Sequence, residues 1–397
     1  HADGIVIGTA SDGPAWNLPA LFRSGDRWML LAESDLDGSY FGAHLDGRPN
    51  GLRYDVVLPN PNEAKGLGDV NPTSTLPWTL PWRVVMVADE LGSIVESNLV
   101  EVLGRDCAVA DPSWVRPGRV SWSWWSDVDS PQNLSTLRSY VDFASEMEWE
   151  HVLVDANWTV HSSADLRTLV DYAGSKAVGV FLWYNSGGPH NDVTEQPRDR
   201  MDDRKVRRAE MAKLAEWGIA GLKVDFFQSD KQRGIQLIED IVTDAADYNL
   251  MVNLHGCTIP RGWTKRWPHL MTHEAVPGAE QYIFDPAYPE LAPSNNTILA
   301  FTRNVIGPMD YTPVTFSDQK YPHLTTTTHE LALGVIFESG LQHFADSAES
   351  YRRQDPAVID ILRSVPAVWD DTRFIGGTPG YFVILARVRD GIWYVAG

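Results

Sequence analysis

Two residues in the stretch 221–230, GLKVDFFQSD, are out of place in what otherwise reads as a buried strand. Lys223 and Asp225 sit two apart among apolar and β-branched neighbours, so in a strand both side chains point to one face. Burying a charged pair is costly unless the two are paired or put to use. At the C-terminal end of a barrel strand such residues project into an active site, which makes Asp225 a candidate catalytic carboxylate. The alternatives are a cap on the following helix or a structural ion pair with Lys223. Further along, THEAVPGAE carries His273, Glu274 and Glu280. Like-charge repulsion between two such glutamates can hold a proton on one of them, as a general acid requires. The same pair suits Ca²⁺, which takes oxygen ligands, or consists simply of solvated loop carboxylates. His255 and His273 are too separated for a zinc motif, and no HExxH occurs. Each is a hydrogen-bonding site histidine or an ordinary packed one.

The elements that would position these groups alternate strand and helix from Arg119 onward. Candidate strands are 120–125, 151–156, 179–184, 221–227, 250–255, 270–275, 304–309 and 341–345, with amphipathic stretches such as 133–147 and 202–217 between the early ones. This rhythm predicts a parallel (β/α)8 TIM barrel. A doubly wound open sheet is the competing arrangement, but it would usually carry a Gly-rich phosphate turn after its first strand, and none is present. Nearly every candidate strand ends in polar or aromatic residues: Trp124, then Asp155 and Asn157, Trp183 to Asn185, Lys223 with Asp225, His255, His273 with Glu274, and Asp310. One such end could be a helix cap. A ring of them describes a polar site, and with aromatic residues mixed in it fits a carbohydrate pocket better than a phosphate or metal-only site. Trp124, Asp155, Asn157, Lys223, His255 and Asp310 are therefore the candidate substrate-binding residues.

Before the barrel, residues 1–112 show short β-type runs separated by turn signals such as Ser24-Gly25-Asp26 and Leu45-Asp46-Gly47, the pattern of a β-sandwich. The stretch 111–118, DPSWVRPG, reads as a linker, the barrel as 113–372, and 373–397 as the start of a C-terminal β domain. The chain opens on His1 and stops at Gly397 within a strand-like run, so both ends are expected to be cut. A formal charge of −20 argues against nucleic acid or an anionic membrane as partner. No apolar run reaches the ~18 residues that a membrane span needs. Sixteen tryptophans and thirteen tyrosines supply flat apolar rings that suit sugar faces, although most serve the core of any protein. Cys107 and Cys257 define neither a metal motif nor a disulfide framework and read as free buried thiols.

The ensemble LLAESDL (30–36), Pro81-Trp82-Arg83, KVDFF (223–227), NLHG (253–256), THEAVPGAE (272–280) and GPMDYTP (307–313) resembles glycoside hydrolase family 97, in order and over nearly the whole chain. The resemblance implies a β-sandwich, a (β/α)8 barrel and a small C-terminal β domain in a bacterial enzyme releasing α-linked sugars. In the inverting branch of that family a glutamate follows the histidine of NLHG; here Gly256 stands there. In the retaining, α-galactosidase-like branch the fourth-strand aspartate is the nucleophile, matching Asp225, and the acid/base glutamate matches Glu280. Calcium dependence is also implied, with Glu274, Glu280 and Glu33 carried over as ligands and Glu96 as the rival to Glu33. A periplasmic or secreted location is implied by the family alone. The reading is thus a calcium-dependent retaining α-galactosidase acting on an oligosaccharide or glycoside, with α-glucosidase second and a β-L-arabinopyranoside as a further substrate. A sugar-binding barrel without turnover, and a metal-dependent isomerase or lyase on the same fold, are the readings from other classes. No residue pattern assigns an oligomeric state.

Overall fold

The computed structural model describes residues 2–397. Its centre is a seven-stranded parallel sheet of Gly118–Trp122, His151–Val154, Gly179–Asn185, Gly221–Asp225, Met251–Leu254, Leu270–His273 and Leu341–Phe344. The first strand pairs with the last, Gly118 opposite Leu341 and Ser121 opposite Phe344, so the sheet curls into a nearly closed TIM barrel rather than an open doubly wound sheet. Alternation along the strands separates two environments. Val180, Leu182, Leu222 and Val224 share a core with the outer helices, whereas Trp122, Leu153, Phe181 and Met271 fill the interior. The helices are bounded by ordinary capping. Asn133 accepts hydrogen bonds from the Ser135 and Thr136 amides at the start of Leu134–Glu146. Asp203 caps Arg204–Trp217, which ends where Gly218 turns left-handed at φ 77°.

Several strands stop short of their expected ends, at Trp122, Val154, Asp225 and His273 instead of 125, 156, 227 and 275. The cause is visible at Phe226 (φ 68°) and Ala275 (φ 41°), left-handed residues that break the ladder and turn the chain over the barrel mouth. The strand expected at 304–309 does not form. Arg303–Ile306 is a single 3₁₀ turn, and only Met309 bridges to the barrel, opposite His273. Gly307-Pro308 explains the failure, since Pro308 has no N–H for a ladder. The buried Arg303 guanidinium takes the ladder's place, donating to the carbonyls of His273 (2.9 Å), Glu274 (3.2 Å), Gly307 (3.1 Å) and Pro308 (2.9 Å).

Ahead of the barrel, Asp3–Val6, Ala20–Ser24, Arg27–Ser34 and Trp82–Ala88 form one sheet, and Ala15–Trp16, His44–Asp46 and Val56–Val57 a smaller one. Phe22 of the first sheet and Leu45 of the second meet in a common apolar cluster with Phe41. The opposite face of the larger sheet, through Leu30, Val84 and Met86, packs into the barrel's core. A C-terminal antiparallel sheet of Asp371–Thr378, Phe382–Arg389 and Ile392–Ala396 completes the architecture. No helix among the described residues is long and apolar enough to cross a membrane. Both cysteines are free, but Cys257 is only half-buried and Cys107 is exposed, the latter because it lies in the irregular segment that leads to the first barrel strand.

Glu33 and its rival Glu96, the expected N-terminal metal ligands, both meet guanidinium groups. The fully buried Glu33 carboxylate is held between two guanidinium groups, Arg261 Nε at 2.6 Å and Arg83. It thereby ties the larger N-terminal sheet to the loop after the fifth barrel strand. Glu96 accepts from the Phe374 amide at 2.7 Å and pairs with Arg373, fastening the C-terminal sheet. Both carboxylates thus carry guanidinium counter-charges. Removing one partner of a buried ion pair leaves an uncompensated charge. Arg261→Met is accordingly expected to cost about 3–5 kcal/mol in urea unfolding. Arg53→Met, which breaks an exposed pair with Asp55, should stay within about 1 kcal/mol.

Candidate active site

The register of the third to fifth strands assembles the site. Trp183 lies opposite Lys223, Asn185 opposite Asp225, and Lys223 opposite Asn253, all facing the barrel axis. Lys223 is buried. Its Nζ donates to Asp155 Oδ2 at 3.0 Å, lies 3.8 Å from Glu280 Oε1, and sits 4.6 Å above the Trp122 ring. Burial alone would strip its proton, but the surrounding carboxylates of Asp155, Glu280, Asp225 and Asp310 outweigh that and hold it charged. Asp155 also accepts from Trp122 Nε1 (2.8 Å) and from the Ala156 amide (2.7 Å), so it is committed to fixing its neighbours.

Asp225 closes the fourth strand. Its Oδ1 accepts from the Phe226 amide at 2.7 Å and its Oδ2 from Trp183 Nε1 at 3.2 Å. Burial pushes its pKa up, while His255 and Lys223 pull it down; the net displacement is upward. Glu280 is displaced upward as well. Burial raises it most, Lys223 and His255 oppose, and Glu274 and Asp225 add like-charge repulsion. Its Oε1 is buried without a hydrogen-bond partner. A low-dielectric pocket that crowds three carboxyl groups favours a proton on one of them, and Glu280 has the environment to keep it.

His255 stands behind these groups. Its Nε2 is 2.7 Å from Asp310 Oδ2, and its Nδ1 is 3.5 Å from Glu280 and 3.7 Å from Glu274. Burial and Lys223 lower its pKa, but Glu274 and Asp310 prevail and lift it to about 9. Asp310 sits beneath the pocket and does not line it. It accepts from Asn253 Nδ2 (2.7 Å), His255 and His343 Nδ1 (3.0 Å), and despite burial the two imidazoles hold it well below the usual carboxylate range. Its expected role as a sugar contact therefore gives way to that of anchor for His255. His273 resolves as a packed residue: neither ring nitrogen has a partner, and burial keeps it neutral.

These groups open into a cavity of about 700 Å³ at the C-terminal end of the strands. Trp124, Asp155, Asn157, Lys223, Asp225, Glu274 and Glu280 all line it. Trp124 stacks on Trp122, with ring centroids 5.7 Å apart and planes at 15°, and Trp183, Phe226 and Phe284 add further apolar wall. The sequence did not single out the wall segment Asp192 to Glu195, nor Trp183 as a donor to Asp225. A polar, aperiodic run after the third strand was the available signal. Gly256 has room for no side chain: at φ +48° a Cβ would come within 2.7 Å of the Phe226 amide and 2.8 Å of Asp225 Oδ1. Its own amide donates to Glu274 Oε2 at 2.8 Å.

His255, Glu274 and Glu280 bring ligand atoms within 4.8 Å of one another, and the bare Glu280 Oε1 faces this cluster. Two carboxylates fit a hard cation whose remaining oxygen ligands come from water or backbone.

Two profiles of one family, described as Glycoside hydrolase 97 and Glycosyl-hydrolase 97 N-terminal, match residues 114–276 and 5–105. The chain belongs to glycoside hydrolase family 97. Relatives within this family include a probable retaining alpha-galactosidase of Streptomyces bingchenggensis, 35% identical over 95% of this chain and 57% of the relative. A retaining alpha-galactosidase of Bacteroides thetaiotaomicron is 31% identical over 96% of this chain and 61% of its own length. The chain thus spans about three fifths of each. Among solved structures, a beta-arabinopyranosidase superposes with a TM-score of 0.93 at 35% identity, covering 98% of this chain and 63% of that one. A family 97 enzyme from Pseudoalteromonas sp. strain K8, bound to acarbose, shares the fold at TM-score 0.81 and 21% identity, covering 95% of this chain and 63% of that one.

The raised pKa of His255 has a testable sign. Folding favours its imidazolium, so its contribution to stability is fully present below the unfolded value of about 6.5 and is lost as pH rises through the folded value. In metal-free protein, the stability gap between wild type and His255→Gln in urea melts should shrink as pH rises through about 9. A gap that widens over that range would contradict a buried imidazolium.

Proposed function

We propose that this chain carries the active site of a retaining glycoside hydrolase that releases terminal α-galactosyl residues by double displacement. The observation that carries the reading is the pairing of Asp225, ringed by two N–H donors, with Glu280, whose buried oxygen has none, in one aromatic-lined cavity. Asp225 attacks the anomeric carbon as the bond to the leaving oxygen breaks, and Glu280 gives that oxygen its proton. Glu280 then takes a proton from water, whose oxygen attacks the anomeric carbon of the Asp225 glycosyl ester, breaking that ester bond to give free sugar and the Asp225 carboxylate. Lys223 and the His255 imidazolium steady the negative charge that passes between the carboxyls. The indole of Trp183 and the Phe226 amide aim the Asp225 oxygens. Calcium, bound by Glu274 and Glu280, would supply positive charge beside the sugar and orient the acid/base group.

Names of two relatives support galactose. The beta-arabinopyranosidase neighbour favours a second reading, a β-L-arabinopyranoside, whose ring matches galactose but lacks the hydroxymethyl arm. p-Nitrophenyl α-D-galactoside, β-L-arabinopyranoside and α-D-glucoside, each assayed with calcium and with chelator, separate the readings. Asp225→Gly should abolish galactoside cleavage, and azide should restore it with formation of the β-galactosyl azide. Full activity in that variant, or preferred cleavage of the glucoside, would overturn the assignment.

Gly256→Ala supplies a geometric check. The added methyl must displace the Asp225 carboxylate, and a misplacement near 1 Å can cost about 10²-fold in rate. The expected loss is in kcat, with KM changed far less.

A further inference from the structure

Segment 186–203, between the third barrel strand and helix Arg204–Trp217, holds no helix or strand, yet it supplies Asp192, Val193, Thr194 and Glu195 to the cavity wall. A segment without a ladder needs other donors for its carbonyls, or it moves. One guanidinium serves three of them. Arg198 Nη2 donates to the carbonyls of Gly188 (2.6 Å) and Asn191 (2.8 Å), while Nη1 reaches Val193 O and Asn191 Oδ1 (2.9 Å). Only a planar fork with several fixed donors can span such a set; a lysine ammonium cannot. Asn157 clasps the far end, accepting from the Gln196 amide at 2.9 Å. Lys65, from the N-terminal part of the chain, pins Asp192 from outside.

Asn191 links this wall to the nucleophile. It is buried, and its Nδ2 donates to Asn185 Oδ1 (3.1 Å) and to the Phe226 carbonyl (2.9 Å). Phe226 is the left-handed residue whose amide holds Asp225 Oδ1. A side-chain amide therefore fixes the turn that aims the carboxylate, and Arg198 in turn fixes that amide.

We propose that Arg198 and Asn191 are positioning residues, Arg198 shaping the sugar-facing wall and Asn191 holding the Phe226 turn beside Asp225. This rests on the glycosidase reading above. Neither residue touches the reacting atoms, so their loss should divide between the kinetic constants. Arg198→Lys and Arg198→Ala should raise KM for p-nitrophenyl α-D-galactoside about 10-fold and lower kcat far less than the Asn191 variant does, since Asn191 Nδ2 keeps its own bonds to Asn185 and Phe226, and guanidinium ion should restore the Ala variant's KM. Asn191→Asp replaces a donor with an acceptor facing two oxygens and should lower kcat about 10²-fold with KM nearly kept, on the scale of a 1 Å misplacement. Hydrogen exchange across 188–195, which needs no turnover, should quicken in both Arg198 variants with exchange in the barrel strands unchanged. If wild type cleaves no glycoside, the functional reading falls, while the exchange comparison still decides the role of Arg198. Unchanged exchange in the Arg198 variants, or kcat and KM changing together in step with a lower melting temperature and without guanidinium rescue, would overturn the proposal.

Discussion

A charged lysine buried at the centre of the barrel is the constraint that the site depends on. Lys223 is almost wholly buried, so its charge must be met largely by protein groups, and the carboxylates of Asp155, Glu280 and Asp225 meet it. Each of those carboxylates needs donors in turn, which explains why indole N–H groups of Trp122 and Trp183 point inward at the same level. His255 and Asp310 extend the arrangement by one layer toward the fifth strand and the seventh position. The cluster alternates sign from residue to residue. Such a lattice is stable only while every member is satisfied, and the unsatisfied Glu280 oxygen stands out for that reason.

The N-terminal sheets contribute rigidity at the rim. Glu33 meets Arg261 and Arg83, Asp230 meets His44 at 3.0 Å, and Trp263 Nε1 donates to Leu36 O at 2.6 Å. These contacts clamp the loops after the fourth and fifth strands, the second of which carries Gly256. The barrel mouth thus has walls fixed from two sides, by the sheet and by the loop's own packing.

Much of this was legible from residues alone, for a physical reason. A period-2 apolar run interrupted by Lys223 and Asp225 has few stable interpretations, and a succession of polar strand ends has fewer. What escaped the sequence was whatever depended on long-range partners. Glu33 sits in a motif that resembles a ligand segment, and nothing local signals its pairing with Arg261, 228 positions away. Asp310 looked like a rim residue because its distance from His255 and His343 is invisible in one dimension. The run 304–309 has strand composition, and Gly307-Pro308 was the local warning against it. The wall at 192–195 has no periodicity to read, since its order comes from side chains such as Arg198 and Asn185 rather than from a ladder.

That seventh position also says something about how the barrel is closed. Elsewhere neighbouring strands are joined by several ladder bonds spread over successive residues, so the joint is a seam. Between Leu270–His273 and Leu341–Phe344 the joint runs instead through the segment 307–310: a rivet, the Arg303 guanidinium gathering four carbonyls, with the Asp310 amide on the His273 carbonyl (2.8 Å) and the Met309 amide on the Glu338 carbonyl (2.9 Å) beside it. A seam tolerates the loss of a stitch, while a rivet holds fully or lets go. The wall nearest Glu274, whose carbonyl that rivet holds, is therefore where the barrel's continuity leans least on ladder bonds and most on a side chain.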